Sequence, residues 1–355
     1  MAYTNIDDPS AYFQATTYTG GGANTEVTNS GNSDLKPDFL WIKNRTAAYG
    51  HFVVDSNRNI SYAQNSSNAP YLETESTAVE NNNQNWMASV NTNGFTTGIA
   101  EHINNNAGSA FVAWQWKANG GTTASNTDGT VTTTTQVNSD AGFSIVTWAG
   151  GGTGTLGHGL GETPDMWIIK NRDYAVSWAV GFSDSSILGG RSKYLQLNTT
   201  NAISTYNNFW GTSDGQISST TIGAAGDRTI NISGNDYVGY FFKAKQGYSK
   251  FGKYVGNGNA NGTFVYTGFK PAFLLWKITS TTGDWRLVDT KRGVNGAIPR
   301  IKPNATSAEG SAGDNVDLLS NGFKFRSTAA SANASGASYI YMAFAENPFT
   351  TSTGI

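Results

Sequence analysis

Residues 37–43 read PDFLWIK, and this stretch returns twice along the chain. Residues 164–170 read PDMWIIK, and residues 271–277 read PAFLLWK. Fourteen residues after each proline stands an aromatic or imidazole ring, at His51, Trp178 and Trp285. An internal repeat of this length fixes the number of structural units before any other argument. We therefore interpret the chain as three copies of one module.

Each copy closes on a second shared signature. The closing segments are residues 111–116 (FVAWQW), 237–242 (YVGYFF) and 339–344 (YIYMAF). In all three, a glycine precedes the last ring by eight residues, at Gly108, Gly234 and Gly336. The almost continuous apolar character of the first stretch, residues 39–43, is typical of a strand that is buried on both faces.

The composition predicts strands rather than helices. The 355 residues include 42 Gly, and only 14% of them are charged whereas 12% are aromatic. No segment sustains the apolar spacing of an amphipathic helix, and short alternating segments bounded by Gly, Asn and Asp recur instead. We predict an all-β protein of three tandem antiparallel β-sandwich domains, jelly-roll or concanavalin-like, each burying its own core.

The repeats set the predicted boundaries at residues 1–118, 142–248 and 249–355. Residues 119–141 form a linker, whose second half (residues 130–138, TVTTTTQVN) could add an edge strand. Repeats two and three meet near residues 246–249 with almost no spacer, so we expect them to be rigidly coupled. Repeat one should be more mobile unless the threonine-rich segment docks.

Charge and cysteine content exclude several classes of partner. The formal net charge is -2 without any block of like charge, which argues against nucleic acid and anionic membranes as partners. There is no cysteine, so stability must come from packing and backbone pairing. Residues 1–8 (MAYTNIDD) do not resemble a signal peptide, and no stretch approaches the ~20 apolar residues of a membrane span. We expect synthesis in a cytoplasm and no membrane insertion.

Three lysines end the repeated apolar stretch at the same place: Lys43, Lys170 and Lys277. A lysine in this position extends its charge to water or pairs with a carboxylate, because a buried charge needs a partner. Asp55 and Asp289 lie at matched positions and are candidate partners, whereas repeat two has Phe182 there. The pattern favours structural ion pairs over a ligand site.

No group of residues predicts catalysis. Glu73, Glu75 and Glu80 come nearest to the two carboxylates of a glycosidase, but the other repeats place Gln196 and Lys302 where repeat one has Glu73. The histidines, at 51, 102 and 158, lie at different places in their repeats and give no zinc motif. The glycine-rich segments lack the lysine and the helix of a phosphate loop. We predict no enzyme activity, no metal and no cofactor.

Aromatic rings in loop-like sequence are the one feature that points to a ligand. Most of the 10 Trp, 16 Tyr and 18 Phe must fill cores, but some rings, including Tyr71 and Tyr206, lie among turn residues. A ring beside Asn, Asp and Thr can stack on the apolar face of a sugar while the polar groups bond its hydroxyls. Residues 81–86 (NNNQNW) and 207–211 (NNFWG) fit this chemistry best. The predicted glycan-stacking residues are Tyr49, Trp86, Tyr174, Phe209 and Trp210.

Four segments of repeat one carry a family resemblance: residues 36–45 (KPDFLWIKNR), 51–58 (HFVVDSNR), 93–98 (NGFTTG) and 108–118 (GSAFVAWQWKA). Together they resemble a repeat module of tail-fibre-like and other virion proteins from tailed bacteriophages of marine bacteria and cyanobacteria. Residues 164–172 and 234–244 extend the resemblance to repeat two, and residues 319–325 and 336–349 extend it to repeat three. Repeat two departs most from it, and the family has no established catalytic residues to assign.

The resemblance implies a virion protein, released by lysis without a signal peptide. The expected function is a tail-fibre, adaptor or surface appendage that contributes to host-surface attachment, including attachment to polysaccharide. A capsid decoration or other purely structural virion subunit is the alternative, and a glycan depolymerase is a minor one. Expected partners are other virion proteins and a host-surface glycan, with a homo-oligomer, such as a trimer, as the expected assembly.

Overall fold

The computed structural model describes residues 4–58, 70–82, 86–99, 104–293, 298–310 and 315–347. Within them the protein is all-β, as predicted, with several antiparallel sheets, none of which closes into a barrel. One short helix, α1 (Ser185–Leu188), and three 3-10 turns complete the regular structure: Pro9–Ala11, Ser56–Arg58 and Asp214–Gln216.

Twenty-four strands are described, and each repeat contributes seven or eight of them. Repeat one contains β1 (Phe13–Thr19), β2 (Glu26–Thr28), β3 (Phe39–Asn44), β4 (His51–Asp55), β5 (Met87–Asn91), β6 (Gly94–Thr97) and β7 (Ala110–Trp116). The linker supplies β8 (Ala124–Asn126) and β9 (Thr133–Asn138). Repeat two contains β10 (Phe143–Ala149), β11 (Gly154–Gly157), β12 (Met166–Asn171), β13 (Ala179–Phe182), β14 (Lys193–Gln196), β15 (Ser204–Thr205), β16 (Thr221–Ala224) and β17 (Asp236–Phe242). Repeat three contains β18 (Ser249–Val255), β19 (Phe264–Tyr266), β20 (Phe273–Ile278), β21 (Arg286–Asp289), β22 (Val316–Leu319), β23 (Gly322–Phe325) and β24 (Ser338–Phe344).

The same four-strand sheet recurs in every repeat. Its order is β1-β7-β3-β4 in repeat one, β10-β17-β12-β13 in repeat two and β18-β24-β20-β21 in repeat three. In repeat two the sheet is widened to eight strands by β9 and β8 on one side and by β14 and β15 on the other. A smaller sheet accompanies each of them: β2-β6-β5, β11-β16 and β19-β23-β22.

The glycine of the closing signature has a backbone reason. Gly108, Gly234 and Gly336 have φ values of 76°, 84° and 73°. This left-handed region is costly for any residue with a Cβ atom, so the turn before each closing strand favours glycine. The constant eight-residue interval of the sequence is thus the distance from this turn to the end of the closing strand.

The repeated strands β3, β12 and β20 are buried on both faces, as the continuous apolar stretch predicted. On β3, Leu40 and Ile42 pack into a cluster with residues of the small sheet of repeat one, such as Phe95. Repeats two and three have corresponding clusters of their own. Phe39 and Trp41, which point to the opposite face, belong to a further cluster that draws residues from all three repeats.

The shared cluster brings the three repeats together around one aromatic centre. Trp116, Phe242 and Phe344 occupy the same position of the three closing strands. The ring centroid of Phe344 lies 5.5 Å from that of Trp116 and 6.0 Å from that of Phe242. Burying each ring stabilises the fold by about 1.5–3 kcal/mol. Each repeat thus has a cluster of its own and also contributes to a shared centre, which the sequence did not predict.

The threonine-rich linker segment packs against both repeat one and repeat two. Repeat one is therefore held in place rather than mobile. Strand β9 pairs with β10 from Thr134 to Asn138, and β8 lies beyond it at the edge of the sheet. From the same segment, Gln136 accepts a hydrogen bond from Ser56 of repeat one at 3.0 Å. The linker thus ties repeat one to repeat two.

The two ends of the three-repeat body differ. At the end where the repeated prolines lie, Ala345 donates to the carbonyl of Tyr248 at 2.8 Å, and Thr4 bonds the carbonyl of Gln246. The connections between repeats therefore gather at this end. The repeated lysines lie at the opposite end of strands β3, β12 and β20.

Candidate functional site

Lys43, Lys170 and Lys277 are fully buried at the junctions between repeats. Each ammonium donates to the carbonyl of the next residue in its own chain segment, namely Asn44, Asn171 and Ile278, at 2.6–2.9 Å. Each also donates to a carbonyl of another repeat, Thr306, Thr77 and Thr200 respectively, at 3.1–3.4 Å. Burial lowers the pKa of all three lysines to about 8.

The predicted pairing of these lysines with aspartates is wrong. Asp55 pairs instead with Arg58 at 2.5 Å, and Asp289 pairs with Arg292 at 2.6 Å. In both cases the arginine follows the aspartate by three residues and both side chains are fully buried. The sequence carries this signal, because an arginine follows both aspartates by three residues.

The ring that follows each proline by fourteen residues also crosses a junction. The indole Nε1 of Trp178 donates to the carbonyl of Glu73, and that of Trp285 donates to the carbonyl of Gln196, both at 2.9 Å. His51 replaces the indole in repeat one, with its Nε2 3.0 Å from the carbonyl of Lys302. Its Nδ1 accepts from Trp41, which assigns the hydrogen to Nε2, and burial holds its pKa well below the ordinary value.

Three equivalent segments receive these contacts, and we call them latch segments: residues 73–80, 196–203 and 302–309. The last residue of each donates its backbone N–H to the next repeat: Glu80 to Arg172 at 2.7 Å, Ile203 to Thr279 at 3.2 Å and Glu309 to Arg45 at 2.9 Å. Repeat one thereby holds repeat two, repeat two holds repeat three, and repeat three holds repeat one. The chain closes into a ring with approximate threefold symmetry.

Two of the three junctions contain a buried charge network. At the junction of repeats one and two, Glu80 binds Arg58 and Arg172, each at 2.8 Å. Tyr240 of repeat two donates its hydroxyl to Asp55 at 2.7 Å. Burial alone would raise the pKa of Glu80, but the two guanidinium groups outweigh it and hold that pKa below its ordinary value.

The junction of repeats three and one repeats this arrangement. Glu309 binds Arg292 at 2.7 Å and Arg45 at 2.9 Å, and Trp114 of repeat one donates its Nε1 to Asp289 at 2.9 Å. The junction of repeats two and three is apolar at the corresponding positions, which are occupied by Phe182, Ile203 and Met342. Equivalent junctions are thus stabilised by buried ion pairs in two cases and by apolar contacts in the third.

The sequence did not favour Glu75 as a catalytic carboxylate. In the structure its side chain accepts a hydrogen bond that asparagine side chains accept in the other two repeats. Its Oε2 accepts the backbone N–H of His51 at 3.0 Å. Asn198 accepts from Trp178 at 3.0 Å and Asn304 accepts from Trp285 at 2.8 Å in the same way. Burial raises the pKa of Glu75 to about 7. Its position is therefore explained by the fold of the repeat.

Two of the predicted glycan-stacking residues are not exposed. Phe209 and Trp210 are each only 1% exposed, so the premise of a surface ring is wrong for both. The Phe209 ring stacks on Tyr194 with centroids 4.0 Å apart, and the Trp210 ring meets Trp167 edge-on at 5.1 Å. Adjacent Asn residues indicated a loop, but a loop can still direct its rings inward.

The other three predicted rings have different environments. Trp86 is half-buried and packs against Tyr71 with centroids 4.9 Å apart. Tyr49 is half-buried, and its carbonyl accepts from Lys43 at 2.7 Å. Tyr174 is 42% exposed, and Tyr206, another ring of repeat two, is 45% exposed. The structure does not bring the five predicted residues into one site.

The residues that the structure describes contain neither a metal-ligand cluster nor a membrane-spanning helix. No group of three or more His, Asp or Glu side chains in the described ranges could hold a metal ion. No helix in those ranges is long and apolar enough to cross a membrane.

Comparison with known proteins identifies a family. A family model described as "Domain of unknown function (DUF7483)" matches residues 8–348. No curated protein and no solved structure matches the chain.

Proposed function

The chain belongs to the DUF7483 family, and we propose that it is a non-catalytic structural protein of a bacteriophage virion. Within the virion it serves as a tail-fibre or adaptor subunit, or another surface appendage, that contributes to host-surface attachment. The resemblance of its repeats to virion modules supports this proposal, and its geometry supports the structural part.

One observation carries the structural role: the polar residues that the repeats keep in register act at the junctions between repeats. The lysines, the rings fourteen residues after the prolines and the latch segments all bond a neighbouring repeat. A repeated active site would keep polar groups in register around an open cleft. Here the shared polar groups are buried and bonded to backbone, which suits a rigid body that displays loops.

We propose that each repeat is a β-sandwich module, jelly-roll or concanavalin-like, with the boundaries predicted from the sequence. A large and a small antiparallel sheet in each repeat, with an apolar cluster drawing on both, support this. Strand exchange between chains is not needed to complete the ring, because the third latch segment, residues 302–309, returns to repeat one.

The location of the protein in the particle tests the proposal. Antibody-gold labelling of purified particles, combined with mass spectrometry of their proteins, should place the chain at the tail or at another surface appendage. Labelling on the capsid faces would instead support the alternative of a capsid decoration. Absence of the chain from purified particles would overturn the virion role.

A viscosity assay tests the non-catalytic part. Host polysaccharide incubated with the purified protein should keep its viscosity. A loss of viscosity would revive the alternative of a glycan depolymerase, and Glu73→Gln would then be the first variant to measure. Light scattering coupled to size exclusion would show whether the purified chain, of 37.7 kDa, forms the homo-oligomer that the fibre analogy implies.

A further inference from the structure

We propose that a surface of repeat two, formed by Tyr174, Tyr194, Tyr206, Asp227 and Arg228, binds a neutral polysaccharide. We call these five residues the tyrosine surface. This inference rests on the proposed attachment role, and it assigns the ligand chemistry and the repeat that carries it.

The rings of this surface are held in place. The guanidinium of Arg228 lies over the ring of Tyr174, 4.6 Å from its centroid, and its Nη1 donates to the hydroxyl of the same tyrosine at 2.8 Å. Tyr174 nevertheless stays 42% exposed. A ring fixed in this way can receive a ligand without further loss of side-chain entropy, which is the general advantage of a preorganised contact.

The buried residues of the NNFWG segment support the second exposed ring. Phe209 stacks on Tyr194 and meets Tyr206 edge-on, with centroids 5.8 Å apart. The backbone between Tyr206 and Phe209 is unusual: Asn208 has a φ of 56° and is the one non-glycine residue in the described ranges with a positive value. Asparagine adopts this left-handed conformation more readily than most residues with a Cβ atom, so it suits a tight turn between the two rings. Tyr206 is 45% exposed.

Residues 225–228 connect the two rings and supply polar groups. Ala225 donates its N–H to the carbonyl of Phe209 at 3.0 Å, and Arg228, three residues later, donates to the hydroxyl of Tyr174. Asp227 accepts the N–H of Thr229 at Oδ1, and among the described residues nothing bonds its Oδ2. Rings that offer an apolar face, interleaved with a carboxylate and a guanidinium, match a hexopyranose with its C–H face and vicinal hydroxyls.

Charge decides between a neutral and an anionic glycan. Beside or among its residues lie two acidic groups, Asp173 and Asp227, and two basic groups, Lys193 and Arg228. Asp236 is paired with Arg172 at 3.8 Å. These charges balance, so the surface offers no excess of cations to an acidic polysaccharide. Repeats one and three have Ala47 and Thr281 where repeat two has Tyr174, so the surface belongs to repeat two.

The test is binding of the full chain to sensor surfaces coated with dextran, mannan or galactan, with alginate as the anionic comparison. The wild-type chain should bind at least one neutral coating, weakly and reversibly. Tyr174→Ala combined with Tyr206→Ala should weaken that binding by about tenfold or more, which corresponds to ~1.4 kcal/mol. Asp227→Asn, which leaves both rings in place, should weaken it by a smaller factor.

The matched control is Phe264→Ala combined with Tyr266→Ala, which removes two rings of repeat three that are 42% and 53% exposed. This variant should bind like the wild type. Equal loss in both double variants, unchanged binding in the Tyr174 and Tyr206 variant, binding to alginate alone, or no binding to any coating would each overturn the inference. The labelling of particles is independent of these results, so the virion role can stand when the tyrosine surface fails.

Discussion

The indole Nε1 of Trp178 donates a hydrogen bond to the backbone carbonyl of Glu73, 2.9 Å away and 105 residues earlier in the chain. Trp285 repeats the contact one module later, with Gln196. The ring fourteen residues after each proline, which only its spacing distinguished in the sequence, therefore connects consecutive repeats by a hydrogen bond. Its polar atom, and not only its apolar surface, explains the choice of tryptophan.

Trp178→Phe isolates that polar atom. The phenyl ring keeps most of the apolar contact, but the carbonyl of Glu73 loses its indole donor. An unsatisfied buried group costs about 1–3 kcal/mol, so the free energy of unfolding should fall by this amount in urea titrations. Tyr266→Phe, at an exposed position, should change it by less than about 0.5 kcal/mol. Equal stability of Trp178→Phe and wild type would show that the hydrogen bond contributes nothing.

The apolar junction of repeats two and three predicts how the charged junctions can be rebuilt. Arg58→Ser leaves the buried carboxylate of Asp55 without its cation and should cost about 3–5 kcal/mol. Adding Asp55→Phe reproduces the Phe182 and Ser185 of repeat two and should recover part of the loss. The measurement is a double-mutant cycle in urea. If the losses in free energy of unfolding of the two single variants simply add in the double variant, ion pairs and apolar contacts are not interchangeable at this junction.

Glu75 predicts a pH dependence below neutrality. Burial raises its pKa from 4.5 to about 7, so between these values the folded protein binds more protons than the unfolded chain. Its contribution to stability is therefore fully present below pH 4.5 and is lost as the pH rises to 7. Glu75→Gln keeps an acceptor for the N–H of His51 and should remove this part of the slope. Stability compared at pH 5 and pH 8 measures it, and a slope that persists in the variant would assign it to other groups.

The three junction lysines predict a second pH dependence, of opposite sign. Burial lowers each pKa from 10.5 to about 8, so between these values the unfolded chain binds more protons. Stability contributed by these groups should therefore rise as the pH increases from 8 to 10.5. Lys170→Met should reduce this slope by about one third, while lowering stability at neutral pH because the carbonyls of Thr77 and Asn171 lose a donor. An unchanged slope in Lys170→Met would show that its ammonium is not perturbed.

What the sequence could and could not predict follows from the range of each signal. The burial of β3 on both faces and the strand character of residues 133–138 were predictable, because apolar runs and alternation are local patterns, whereas the docking of that strand was left open. The shared aromatic centre was not predictable. A strand face that packs on another repeat has the same apolar residues in the sequence as a face that packs within its own repeat. The partner of Lys43 was also beyond reach, since a backbone carbonyl such as that of Thr306 leaves no mark in the sequence. The burial of Phe209 was also beyond reach, because an Asn-rich turn sequence does not show which way the following rings point.

The shared centre predicts that the three repeats unfold together. Chains of this length often unfold domain by domain, and separate cores would give separate transitions. Phe344 belongs to the centre and Phe325 to the cluster of repeat three alone. Phe344→Ala should cost about 3–5 kcal/mol and should shift the entire transition, recorded by tryptophan fluorescence and by circular dichroism in parallel. Phe325→Ala is the matched comparison, because with independent repeats each variant would split off an early transition confined to repeat three. Repeat three contains Trp276 and Trp285, and repeats one and two contain the other tryptophans. An early transition of repeat three would therefore give fluorescence and circular dichroism curves that do not coincide. Such curves would show that the shared centre does not couple the repeats.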